Sequence, residues 1–172
     1  TRVVPMPAAA VDRATLAPGL ACRLYEGEWR SLPDFAALTP VRTLTLPAVG
    51  LPSDGPKERF GLVCAGLLEV LADGLYSVSL RSEDDSALLV NGEKVVEKKN
   101  IDFTSARAEV ALATGLHPIE VRYYQRDFTL GLELKIDGPE QPLAPVPPGR
   151  LYHVAAGDRT AAAKPGPSTE EP

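Results

Sequence analysis

The sequence predicts an all-β fold, an antiparallel two-sheet β-sandwich. Two observations carry this reading. Apolar residues recur with a period of two rather than 3.6 through the middle of the chain, and turn signals punctuate it every eight to twelve residues or so. Taken in order, an apolar strand holds Cys22, and Leu32–Leu38 gives a single hint of a helical turn. Phe60–Val70 is a long apolar run broken by Glu69. In Gly74–Ser82, Tyr76, Val78 and Leu80 face one way, and Ser77, Ser79 and Arg81 the other. Asn91-Gly92 between Leu88-Leu89-Val90 and Val95-Val96 predicts a hairpin, because both central positions of the favoured turn need positive φ. Ile119, Val121 and Tyr123 then alternate with Glu120, Arg122 and Tyr124. Leu130, Leu132, Leu134 and Ile136 alternate with Gly131, Glu133 and Lys135, while Asp73-Gly74, Thr114-Gly115 and Asp137-Gly138 mark further turns.

The 172 residues suffice for one domain with a buried core. Residues 1–15 lack periodicity and read as linker. Residues 154–172 are rich in Ala, Pro and small polar residues and read as a flexible tail. The module is therefore expected over residues 16–153, carried within a longer protein. Hydrophobic residues make up 44% and charged residues 24%, the balance of a soluble globular protein. A net charge of −5 argues against nucleic acid as a partner, since Lys94, Lys98 and Lys99 are interleaved with Glu93 and Glu97 rather than clustered. No apolar run is long enough for a helical membrane span.

Cys22 and Cys64 are the two cysteines, without metal-ligand spacing. Two readings stand: a pair of small buried thiols, which the burial habit of cysteine favours, and one disulfide joining two strands, which would belong to an oxidising compartment. His117 and His153 stand apart from any nucleophile and orienting acid, so no catalytic residues are assigned and no enzyme is expected. The conspicuous polar cluster is Ser82-Glu83-Asp84-Asp85-Ser86. Neighbouring carboxyls seldom span the roughly 5–9.5 Å of a glycosidase pair. They suit a hard cation such as Ca²⁺, against the plainer reading of a solvated acidic turn.

The order of motifs resembles the PA-fourteen (PA14) domain, named after anthrax protective antigen and shared by fungal flocculins and bacterial glycosidases. Gly19-Leu20-Ala21-Cys22-Arg23-Leu24-Tyr25-Glu26-Gly27 is similar to its opening strand. Trp29, Leu32-Pro33-Asp34-Phe35, Leu38, Pro40 and Val41 resemble the version attached to bacterial carbohydrate-active enzymes. Phe60 to Gly66 and Asp73-Gly74-Leu75-Tyr76 follow, and SEDDSALLVNG (82–92) resembles the family's Ser-Asp-Asp-Gly-Ser core. Gly115-Leu116-His117-Pro118-Ile119, Val121-Arg122-Tyr123-Tyr124-Gln125, Pro147-Pro148 and Leu151-Tyr152 complete the series, from about Leu16 to His153.

The resemblance implies a two-sheet sandwich acting as a carbohydrate-binding module, appended to a larger secreted enzyme or adhesin. It would sit outside the cell, on the cell surface or in the periplasm. It further implies Ca²⁺ held by Asp84 and Asp85, joined by a cis peptide, with Gln125 from a second loop. Glu83, Asp84, Asp85, Gln125, Arg126, Asp127 and Phe128 would contact ligand, Phe128 either stacking on a sugar or filling the core. Three departures accompany it. Glu83-Asp84-Asp85 replaces Asp-Asp-Gly, and Arg126-Asp127-Phe128-Thr129 replaces a glycine-rich loop. Glu97-Lys98-Lys99-Asn100 replaces Asp-Asn-Asp-Gly and a His, placing lysines near the proposed ion. The alternative is a structural or protein-interaction sandwich that has lost metal and sugar.

Overall fold

A computed structural model of the protein describes residues 4–99, 104–127, 130–139 and 141–155. Its strands are β1 (Leu16–Pro18), β2 (Leu20–Glu26), β3 (Arg42–Leu46), β4 (Phe60–Val70), β5 (Gly74–Ser82), β6 (Ser86–Val90), β7 (Glu93–Lys98), β8 (Thr104–Leu112), β9 (Gly115–Gln125), β10 (Leu132–Gly138), β11 (Gln141–Pro145) and β12 (Leu151–Val154). The larger sheet runs β1-β12-β4-β9-β6-β7, with β2 also against β4 and β3 outside β2; the smaller runs β11-β10-β5-β8. The named strands pair antiparallel throughout, as the two-sheet prediction requires.

Period-two alternation builds the core directly. Leu62, Cys64 and Leu68 of β4, Ile119, Val121 and Tyr123 of β9, and Leu88 and Val90 of β6 face inward from the larger sheet. Tyr76, Val78 and Leu80 of β5, Val110 and Leu112 of β8, and Leu132, Leu134 and Ile136 of β10 meet them from the smaller. The hairpin forms where Asn91-Gly92 predicted it, with φ of 52° and 82°. β10 begins at Leu132, two residues later than the alternation suggested, and β3, β8 and β11 were not foreseen.

The stretch expected as linker hydrogen-bonds to the sandwich: Met6 N–H donates to the Ala111 carbonyl at 2.8 Å and Ala9 N–H to the Leu116 carbonyl at 2.8 Å. The expected tail lies outside the described residues from 156 onward. No helix among the described residues is long and apolar enough to cross a membrane.

The expectation of free thiols is corrected. Cys22 and Cys64 stand directly opposite each other on β2 and β4, with Cα atoms 4.1 Å apart and the sulfurs joined. Sequence spacing could not disclose this, because a separation of 42 residues becomes contact only through strand register. Closing a loop of that length stabilises a fold by about 2–4 kcal/mol. Reduction of the bond, followed by thermal melting, is therefore expected to lower Tm by on the order of 10 °C with the sandwich still formed.

Candidate functional site

Strand residues are committed to the core or to a sheet face, so variable chemistry gathers in the loops at strand ends. β5 and β6 belong to different sheets, and residues 82–86 cross between them at one end of the sandwich. The Ser82 hydroxyl donates to the Asp84 carbonyl at 2.8 Å and lies 2.6 Å from the Ser86 hydroxyl. Since each hydroxyl has one proton, Ser86 is the donor of that second bond. This tight crossing draws Asp84 and Asp85 inward, to 5% and 9% exposure, and leaves Glu83 half-buried.

β9 ends beside the crossing because it pairs with β6, Tyr123 opposite Ser86. From there Tyr124 N–H donates to the Asp85 carbonyl at 2.9 Å, and Arg126 N–H to Asp84 Oδ2 at 2.7 Å. Gln125 is wholly buried; its Nε2 donates to the Asp127 carbonyl at 2.7 Å and its Oε1 accepts the Tyr123 hydroxyl proton. Arg126 and Asp127 remain half-exposed at the rim. The structure thus brings Glu83, Asp84, Asp85, Gln125, Arg126 and Asp127 together. Phe128 lies outside the described residues. No peptide among the described residues is cis, the Asp84–Asp85 bond included, unlike the expectation from the resemblance.

A third wall went unassigned in the sequence. The segment between β2 and β3 folds over the outer face of the larger sheet, where Phe35 packs with Tyr25 and Val63, flanked by Trp29, Leu32 and Leu38. Gly61 makes this possible: a Cβ there would lie 2.5 Å from Phe35 Cε1. The segment is tied to both other loops. Trp29 N–H donates to the Tyr124 hydroxyl at 3.0 Å, Arg126 donates to the Arg30 carbonyl at 3.2 Å, and Leu32 N–H bonds the Asp85 carboxylate. The Trp29 and Tyr124 rings meet edge-on at 5.4 Å. The available signal was the spacing of Trp29, Leu32, Phe35 and Leu38, an apolar set in a loop that must cover something.

Electrostatically the rim is strained. Burial pushes the Asp85 carboxyl above its ordinary range, and the charge of Asp84 adds to this. The Leu32 N–H and the charges of Lys98 and Arg126 pull the other way. Burial likewise pushes the Tyr123 hydroxyl up, so that it serves as a neutral donor to Gln125.

The residues that would hold the implied calcium are Asp84, Asp85 and Gln125, and their oxygens also accept hydrogen bonds from the protein. That ion takes six to eight oxygens. Here one Asp84 oxygen is held by Arg126 N–H, the Asp85 carboxylate by Leu32 N–H, and the Gln125 carbonyl by Tyr123. No three His, Cys, Asp or Glu side chains among the described residues are grouped to hold an ion. The histidines are engaged elsewhere: His117 Nδ1 with Asn91 Nδ2 at 3.0 Å and Nε2 with the Ala113 carbonyl at 2.7 Å, and His153 Nδ1 with the Gly19 carbonyl at 3.0 Å.

The family model for the PA14 domain matches residues 18–143. Among solved structures, the A domain of Epithelial Adhesin 9 from Candida glabrata, in complex with Galb1-3GlcNAc, superposes with TM-score 0.71 at 16% identity, covering 87% of this chain and 96% of that one. A PA14 sugar-binding domain from an RTX adhesin gives 0.66 at 16% identity, over 79% and 98%. An anti-sigma factor domain-containing protein from Clostridium clariflavum gives 0.67 at 14% identity, over 88% of this chain and 49% of that one. The chain therefore spans about half the length of the anti-sigma factor domain-containing proteins it matches. Comparison with curated protein sequences gives no match.

Whether Gln125 is held inward is open to a direct check. Tyr123→Phe removes the hydroxyl that donates to the buried Gln125 amide oxygen, and losing one such bond costs about 0.5–1.5 kcal/mol. Thermal melting should show Tm lower by roughly 1–6 °C. An unchanged Tm would mean that this bond does not hold the Gln125 carbonyl.

Proposed function

The chain belongs to the PA14 domain family, and from that premise we propose that it is a non-catalytic carbohydrate-binding module serving a larger protein. The observation that carries the proposal is the meeting of the acidic crossing with the end of β9, through the Arg126 N–H bond to Asp84 and the Tyr124 N–H bond to Asp85. Solved structures of the same fold include an adhesin A domain in complex with Galb1-3GlcNAc or Galb1-4GlcNAc and a PA14 sugar-binding domain of an RTX adhesin, which supports the reading.

Chemically, the rim offers what a sugar needs. The Arg126 guanidinium donates, the Asp127 and Glu83 carboxylates accept, and all three are partly accessible beside the two buried aspartates. Sugar contact is assigned to these side chains, and no step is routed through a metal. The contribution to a parent enzyme or adhesin would be proximity, raising local substrate concentration without new chemistry. The disulfide supports a location outside the cell, on its surface or in the periplasm.

A second reading, a structural or protein-interaction sandwich without sugar, is favoured by the inward commitment of Gln125. Glycan-array binding with and without chelator separates the two. The carbohydrate reading expects binding that survives chelator; a blank array in both arms establishes the interaction-domain reading instead. For a glycan that binds, Arg126→Ala and Asp127→Ala should each weaken affinity roughly tenfold, the worth of one charge-assisted hydrogen bond, and Asp127→Ala should do so with Tm unchanged.

A further inference from the structure

The outer face of the larger sheet carries a second enclosure, away from the covering segment. Residues 9–15 form one wall of it and are tied down at both ends: Ala9 N–H donates to the Leu116 carbonyl at 2.8 Å, and Ala155 N–H to the Thr15 carbonyl at 2.8 Å. Between this segment and the strands lies a cavity of about 540 Å³, the size that takes a small organic molecule. Alternation sets its floor. Ala65, Leu67 and Leu89 lie between inward residues of β4 and β6, so their side chains face outward into the cavity. The strands beneath spend their backbone N–H and C=O groups on one another, so the floor is apolar.

Four lining side chains carry polar atoms: Asp12, Thr15, Glu120 and His153. The Thr15 hydroxyl donates its one proton to the Asp12 carbonyl at 2.7 Å. His153 Nδ1 lies 3.0 Å from the Gly19 carbonyl, which can only accept, so the neutral ring carries its proton there and keeps Nε2 as an acceptor. The carboxylates accept by nature; Asp12 Oδ1 takes the Ala14 N–H and Glu120 Oε2 takes Arg122 Nε. The bonding capacity left to these four side chains is therefore all acceptor, two of them are anionic, and no Lys or Arg lines the cavity. A carboxylate or phosphate would find no side-chain donor here. A sugar would find no aromatic ring among the lining residues, and most of its hydroxyls would lose water without a new partner.

From this accounting we propose that the cavity is a binding site for a small organic amine. The apolar body rests on Ala65, Leu67 and Leu89, and the ammonium donates to Glu120 and the His153 ring. The site is separate from the acidic rim, because Glu120 lies five residues before Gln125 on β9, roughly 17 Å along the strand. The proposal therefore does not rest on the carbohydrate reading.

Backbone amide shift titrations with phenethylamine and with 3-phenylpropionate, which pairs a similar body with the opposite charge, test it. The amine should saturate with Kd on the order of 1 mM, moving amides in residues 9–15, 65–67, 119–120 and 153–154 and leaving 83–86 in place. The anion should give no saturable shift at the same concentrations. Glu120→Gln keeps the shape and removes the charge, and should raise Kd roughly tenfold with Tm unchanged. Ala65→Leu fills the floor and should abolish saturation by the amine. Equal binding of both probes, shifts centred on residues 83–86, or an unchanged Kd in Glu120→Gln would overturn the proposal. So would an amine that fails to saturate the native chain.

Discussion

β4 and β9 lie antiparallel in continuous register, from Phe60 opposite Gln125 to Val70 opposite Gly115. Because side chains alternate across a strand, this register decides which residues face the smaller sheet and which face outward; a slip by one would invert the whole set. It also supplies the frame for the other strands. β4 carries Cys64 against Cys22 on β2 and Leu68 against Leu151 on β12, while β9 carries Tyr123 against Ser86 on β6. The disulfide pins the same frame covalently from the β2 side.

The two adjacent tyrosines of β9 show how the site inherits this constraint. Tyr123 points into the sandwich, packs its ring 5.9 Å from that of Phe60, and holds Gln125 by its hydroxyl. Tyr124 points to the opposite face, receives Trp29 against its ring, and accepts the Trp29 N–H at its hydroxyl. One strand end therefore anchors an inner element, the Gln125–Asp127 turn, and an outer one, the segment between β2 and β3. Asp85 is where the two meet, bonded through its carbonyl to Tyr124 N–H and through its carboxylate to Leu32 N–H. Buried acidic groups tolerate that position only because donors and cations surround them.

Much of this was legible in the residues. The alternation in Gly74–Ser82 and the Asn91-Gly92 turn needed no tertiary information, and they appear where the pattern put them. β8 escaped because its inward positions Ala106 and Ala108, opposite Leu80 and Val78, are too small to contrast with their polar neighbours. β3 escaped because Leu44 and Leu46 alternate over only a few residues beside prolines. In the candidate site, the adjacency of Asp84 and Asp85 and the position of Gln125 after a strong strand were visible. Their inward commitment was not, since it depends on Tyr123 reaching Gln125 and on the Arg126 N–H reaching Asp84. Such contacts arise from register between distant segments, as does the cysteine bond, and one-dimensional spacing does not encode them.

The central claim is that a single rim, built from the acidic crossing, the end of β9 and the segment before β3, receives a glycan. Backbone amide shift mapping with the tightest glycan from an array, in buffer containing chelator, addresses it most directly. The account predicts perturbed amides concentrated in residues 29–32, 83–86 and 125–127, with the opposite end of the sandwich unmoved. Shifts centred on that opposite end or on the outer face of the smaller sheet, or binding that vanishes in chelator, would contradict it.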